Sequence, residues 1–197
     1  MDPIGTIAEI FATHIEEVSA AAVTAPDSIN EACEVMVHAL LSDKKILSAG
    51  SGNCAVLAQL FATHLLHHFQ RERPGLPAIA LSADSCMVNT ISEDTQYADA
   101  IARQVSTLGQ PGDILLLIAG SGRGDSLVRA LSAARERDMT VILCHGSNHT
   151  SAASLLDTHD VEISLPIGQP ARLLEAQLVL IHCVCELIDI YLFGGEH

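Results

Sequence analysis

Apolar positions in the first part of the chain recur at helical spacing. Ile4, Ile7, Ile10, Phe11, Ile15 and Val18 fall on one side of a helix expected over 4–22. Ala25-Pro26-Asp27 breaks that run, and Pro26 opens a second helix over 28–42 with Ile29, Ala32, Val35, Met36, Ala39 and Leu40 inward. The two helices form a hairpin ahead of the first strand. They carry more apolar surface than a solvated helix needs, which predicts an oligomer contact. From residue 44 the pattern becomes strand, Gly-rich turn, helix, repeated. Strands are expected over 45–48, 77–81, 113–118, 140–144 and 161–165, and helices over 55–69, 97–108, 125–137 and 170–193. The last helix has few charges and reads as largely buried. Residues 145–150 read as a loop.

Strands that alternate with helices, and that are themselves nearly all apolar (DILLLI at 113–118), predict an α/β fold with a doubly wound parallel sheet. With 197 residues and 49% hydrophobic content, the chain suits one compact domain. The expected division is residues 1–197 as a single domain, with 1–43 a helical hairpin for oligomerisation and 44–197 the α/β core. No repeat, low-complexity tract or linker interrupts it.

Ligands of such sheets sit beyond the carboxyl ends of the strands, where strand order switches. Two Gly-rich turns fall at that edge. GSGNC at 50–54 follows a strand and opens a helix, so free N–H groups and the positive helix end there can hold an anion. The same signature also serves as a simple tight turn. AGSGRGDS at 119–126 repeats the design, and two such turns together make room for a phosphosugar. Neither is a Walker motif or a GxGxxG.

Charge narrows the partners. The formal net charge is −14, from 24 acidic against 10 basic residues, and such a surface repels a phosphate backbone, so no direct nucleic-acid partner is expected. No basic amphipathic segment marks a membrane surface, and no apolar run approaches the ~20 residues that span a bilayer. Residues 1–14 lack Lys and Arg, unlike a signal peptide, and the six cysteines include no CxxC. A cytoplasmic protein with free thiols is expected. His64 and His68 share a helix face at a metal-binding spacing, but without acidic or cysteine ligands nearby they suit only adventitious metal. His145, His149 and His159 are expected in solvated loops. The stripe Leu173, Leu174, Leu178, Leu180 and Ile181 reads as core or interface.

Four segments carry a resemblance: GSGN at 50, RERPGLPAIALSAD at 71–84, GQPGDILLLIAGSG at 109–122 and ARLLEAQLVLIHCVCELID at 171–189. They resemble the sugar-isomerase (SIS) family in its phosphoheptose isomerase branch, and equally that branch's relative, the DnaA initiator-associating (DiaA-like) proteins. The resemblance spans nearly the whole chain. It implies a five-stranded, flavodoxin-like parallel sheet, a homotetramer, and sites shared between subunits. For phosphate and substrate binding it points to Ser51, Gly52, Asn53, Glu93, Asp94, Ser121, Gly122 and Arg123.

The chain departs from the isomerases where their chemistry lies. At the family's zinc-ligand and acid–base positions it has Leu60, His64, Leu174 and His182, so only His182 matches. The second turn has lost hydroxyl donors, with Arg123 a replacement guanidinium fork. The first reading is therefore a catalytically silent SIS protein that works by binding, DiaA-like, with a protein partner such as a replication initiator and no cofactor. The alternatives are a sedoheptulose-7-phosphate isomerase rebuilt around His64 and His182, for which alone zinc enters, and a non-catalytic sugar-phosphate sensor.

Overall fold

The computed structural model describes residues 2–120, 124–148 and 150–195. Two helices come first, α1 (Pro3–Thr24) and α2 (Pro26–Leu41). Asp2 caps α1 by accepting from the Ile4 N–H, and Pro stands at the start of each helix, where its missing N–H costs nothing. The remaining elements are β1 (Ile46–Gly50), α3 (Cys54–Leu66), β2 (Ala78–Ala80), α4 (Ser85–Asp94), α5 (Asp99–Leu108), β3 (Ile114–Ile118), α6 (Asp125–Arg135), β4 (Thr140–His145), α7 (Thr150–Ala153), β5 (Val161–Ser164) and α8 (Pro170–Phe193).

The five strands are all parallel, in the order β2-β1-β3-β4-β5. The chain runs from β1 out to the β2 edge and returns on the other side as β3. The strand order therefore switches between β1 and β3, which pair from Ile46↔Ile114 to Gly50↔Ile118.

Side chains alternate across the sheet and fill two cores. Ile46, Ile114, Leu116, Ile118, Ile142 and Cys144 pack under α2, α3 and α8. Leu47, Ala49, Leu115, Leu117, Val141 and Leu143 pack under α5 and α6. Helices on both faces bear out the expected doubly wound sheet.

Several local expectations need correction. Helix α4 was not expected; it is short, its apolar residues Met87, Val88 and Ile91 stay out of the core, and Asp84 starts it by accepting from the Met87 N–H. The short α7 begins at Thr150, the last residue of the expected loop, and runs on through a stretch for which no element was expected. Helix α8 buries one stripe, from Leu173 through Asp189, and leaves Val179 and Tyr191 exposed on the other side. It is long and apolar enough, by length and composition, to cross a membrane, yet that stripe lies in the core against α2 and α3. On α1 only Ala21 is buried, and Ile4 (80% exposed), Ile7 (56%), Ile10 (48%), Phe11 (65%) and Ile15 (63%) stand open on this chain.

Gly50, where β1 turns into α3, has no room for a side chain. A Cβ there would lie 2.2 Å from the Cys54 carbonyl oxygen and 2.6 Å from the Ala55 nitrogen, both backbone atoms that cannot swing away. Gly50→Ala is expected to cost about 2 kcal/mol or more. A chain of this size should then melt ~4 °C or more below the parent in calorimetry.

Candidate functional site

The two Gly-rich turns meet at the switch point because β1 and β3 are neighbours. Two hydrogen bonds join them: the Ser51 N–H donates to the Ile118 carbonyl (3.1 Å), and the Gly120 N–H donates to Ser51 Oγ (3.0 Å). The Ser51 hydroxyl thus spends a lone pair on the second turn and keeps its proton for another acceptor. Gly52 is left-handed (φ +55°), and the N–H groups of Cys54, Ala55 and Val56 turn back onto Ser51, Gly52 and Asn53 carbonyls. Among the described residues, the Gly52 and Asn53 N–H groups remain for an anion at the positive end of α3. The structure therefore brings Ser51, Gly52 and Asn53 together at the crevice. Ser121, Gly122 and Arg123 lie outside the described residues.

Glu93 and Asp94 follow β2 in the chain. They occupy the exposed last turn of α4, and Asp94 lines a groove against α5. The extra helix after β2 carries them there.

Beneath the turns lies a residue that the sequence reading passed over. Gln177 of α8 is fully buried, its amide nitrogen donating to the Ala119 carbonyl (2.9 Å) while its amide oxygen accepts from Cys54 Sγ (3.3 Å). One amide thus links α8 to both turns. The signal was present as a lone Gln on the apolar face of ARLLEAQLVLIH. Burial pushes the Cys54 thiol up to about 11 and the Cys144 thiol up to about 12, so neither supplies a thiolate nucleophile near neutral pH.

Further along α3, His64 comes against His182 of α8, with ring centroids 5.8 Å apart at 63°. Phe69 completes the cluster, 4.9 Å from His64 and 5.2 Å from His182. His64 Nε2 is buried and has no hydrogen-bond partner among the described residues. Burial holds His64 below the usual histidine range, and the charge of neighbouring His182 pushes the same way. A neutral imidazole with an unused ring nitrogen is a proton acceptor.

The residues present do not fit the zinc that the resemblance implies. Leu60 and Leu174 have no donor atom, which leaves two imidazoles. Among the described residues, no group of three His, Cys, Asp or Glu side chains could hold a metal ion. His145, expected in solvent, is instead buried at the end of β4, with its ring nitrogens facing the Gly146 carbonyl (2.8 Å) and the Glu162 carboxylate (2.7 Å). His159 is exposed, and His149 lies outside the described residues.

Comparison with known proteins places this geometry in a class. Residues 10–145 match the model of the SIS domain. The chain belongs to the SIS-domain family. Within it, the chain is 42% identical over 187 residues to the phosphoheptose isomerase of Alteromonas mediterranea, covering 95% of this chain and 94% of that one. It is 43% identical over 190 residues to the phosphoheptose isomerase of Shewanella halifaxensis, covering 96% of each. A solved phosphoheptose isomerase from Francisella tularensis superposes with a TM-score of 0.92 at 33% identity, over 96% of this chain and 99% of that one. The Vibrio vulnificus NanR protein complexed with ManNAc-6P shares the fold at 17% identity and a TM-score of 0.64, over 94% of this chain and 63% of that one.

These relatives overturn the first reading, of a non-catalytic DiaA-like regulator. Proteins similar across nearly the whole chain carry the name of an isomerase. That reading gave Leu60 and Leu174 more weight than the chain-wide similarity.

The Gln177 bridge generates a stability prediction. Gln177→Leu leaves the buried Ala119 carbonyl without its donor, at an expected cost of ~1–3 kcal/mol. Urea unfolding of the variant against the parent reads that loss directly.

Proposed function

We propose that the protein is an aldose–ketose isomerase acting on a phosphorylated sugar, of the phosphoheptose isomerase kind. The observation that carries the reading is the His64–His182 pair, with its unpartnered buried Nε2, on a chain otherwise so similar to phosphoheptose isomerases. The phosphate binds at Ser51, Gly52 and Asn53, where the Ser51 hydroxyl and two backbone N–H groups face it. His64 stands ten residues beyond the start of α3 at Cys54, roughly 15 Å along the axis. Helical side chains lean toward the N-terminus and shorten that gap. A long sugar with its phosphate far from its carbonyl spans it.

Isomerisation moves one proton between neighbouring carbons through an enediol. Neutral His64 takes the proton from the carbon beside the carbonyl, and the electron pair left behind forms the enediol double bond. Returning a proton to the adjacent carbon, with the matching transfer between the two oxygens, completes the exchange; His182 faces His64 and serves as its partner. Phe69 covers the pair and limits water.

The purified protein is expected to turn over sedoheptulose 7-phosphate at about one per second or faster, within the ordinary range for enzymes. His64→Gln should lower kcat by ~10²–10⁴-fold, the usual worth of a general base. Because the folded protein disfavours the His64 cation, the base stays neutral below the ordinary value of 6.5, and the acid limb of the pH–rate profile should fall below that pH. A chelator should leave the rate unchanged, since two leucines stand where ligands would be needed. Turnover no faster than that of a His64→Gln, His182→Gln double variant would overturn the reading.

We also propose that copies of the chain assemble as a tetramer in the cytoplasm. The open stripe Ile4, Ile7, Ile10, Phe11 and Ile15 supports the assembly, and the free thiols of Cys33, Cys54, Cys144 and Cys185 suit a reducing compartment. Sedimentation at micromolar concentration should give about four times the 20.9 kDa chain mass, and Ile7→Asp with Phe11→Asp should shift it to smaller species.

A further inference from the structure

We infer that Arg73 and Asp189 are positioning residues that set the separation of the two imidazoles. The inference rests on the isomerase reading above and adds to it the device that holds the pair. Helix α3 ends at Leu66, two residues beyond His64, and a helix end leaves carbonyls without internal partners. Arg73 collects them. Its guanidinium donates to the Leu65 carbonyl at 2.9 Å, to the His64 carbonyl at 3.0 Å and to the Pro74 carbonyl at 3.1 Å. The side chain is 1% exposed, so its hydrogen bonds are made out of water and its charge lies at the negative end of the helix.

The Nε–H donor crosses to the other helix. Arg73 Nε donates to Asp189 Oδ1 at 2.5 Å, and the Asp189 side chain is 5% exposed. Asp189 lies roughly two turns beyond His182 on α8 and so on the same side of that helix. One guanidinium therefore holds the backbone of His64 with one arm and the helix of His182 with another. A lysine keeps the charge but not the fork, and cannot span both partners.

A purely structural ion pair would touch stability alone, and the test separates the two roles. The variants are Arg73→Lys and Asp189→Asn; the second weakens the clamp by removing the carboxylate charge while keeping the side chain's shape, and serves where the first fails to fold. In whichever variant retains the parent's circular dichroism, kcat for sedoheptulose 7-phosphate should fall at least tenfold with KM within twofold, because the phosphate turns are untouched. In a His64→Gln background the same change should produce no further loss, since the pair acts through His64. The nuclear Overhauser contact between the two imidazole rings should weaken in the same folded variant. Unchanged kcat, or an equal loss in both backgrounds, overturns the inference. If the parent protein shows no turnover, the isomerase reading falls by itself, and the ring-to-ring contact still decides the clamp: an unaltered contact overturns it.

Discussion

The β1–β3 pairing is the constraint on which the rest depends. The two strands are neighbours only because the chain goes out to β2 and returns across β1, and their register puts Gly50 opposite Ile118. That register delivers Ser51 to the start of the second turn, where its hydroxyl can accept from Gly120. A slip of one residue would turn Ser51 to the other face and reverse the two cores, because side chains alternate across the sheet. The glycines follow from the same constraint: a Cβ on Gly120 would approach Cys54 Sγ and the Ser51 oxygen at 3.3 Å.

Helix α8 carries the geometry away from the sheet edge. Gln177 ties it to the turns, His182 faces α3, and Asp189 reaches the guanidinium that closes α3. Gln177 and Asp189 are polar groups on a buried stripe otherwise built of Leu, Ile, Val, Ala and Cys, and His182 lies half-buried at its margin. A buried polar group costs free energy unless it is hydrogen-bonded, and Gln177 and Asp189 are each bonded across to another element. His64 Nε2 and the second oxygen of Asp189 are buried without a hydrogen-bond partner among the described residues.

Much of the fold was legible because the strands are short apolar runs set between Gly-rich turns, and α8 begins and ends where its pattern predicts. Helix α4 was passed over because it is short and none of its ten residues reaches the core, and Glu93 and Asp94 fall in its exposed last turn. His145 looked like a loop residue, since nothing local shows that Glu162 of the neighbouring strand reaches its ring. The His64–His182 meeting came from resemblance, whereas the roles of Arg73 and Gln177 rest on partners far along the chain that periodicity does not encode. The functional misreading had a different origin: two ligand positions filled by leucine say which metal chemistry is missing, not that a base and its partner are missing.

The cysteines divide the protein into reactive and inert chemistry. Cys33, Cys144 and Cys185 are buried with thiols raised to about 12, and Cys54 is buried with its thiol at about 11. Thiolate is the form that alkylating agents and peroxides attack, so these four are protected both by access and by protonation. Cys86 on α4 and Cys183 on α8 are exposed. An electrophile therefore meets the folded chain at two surface points, and a dye or spin label attached there reports on α4 and α8 while the sulfur beside the first Gly-rich turn stays untouched.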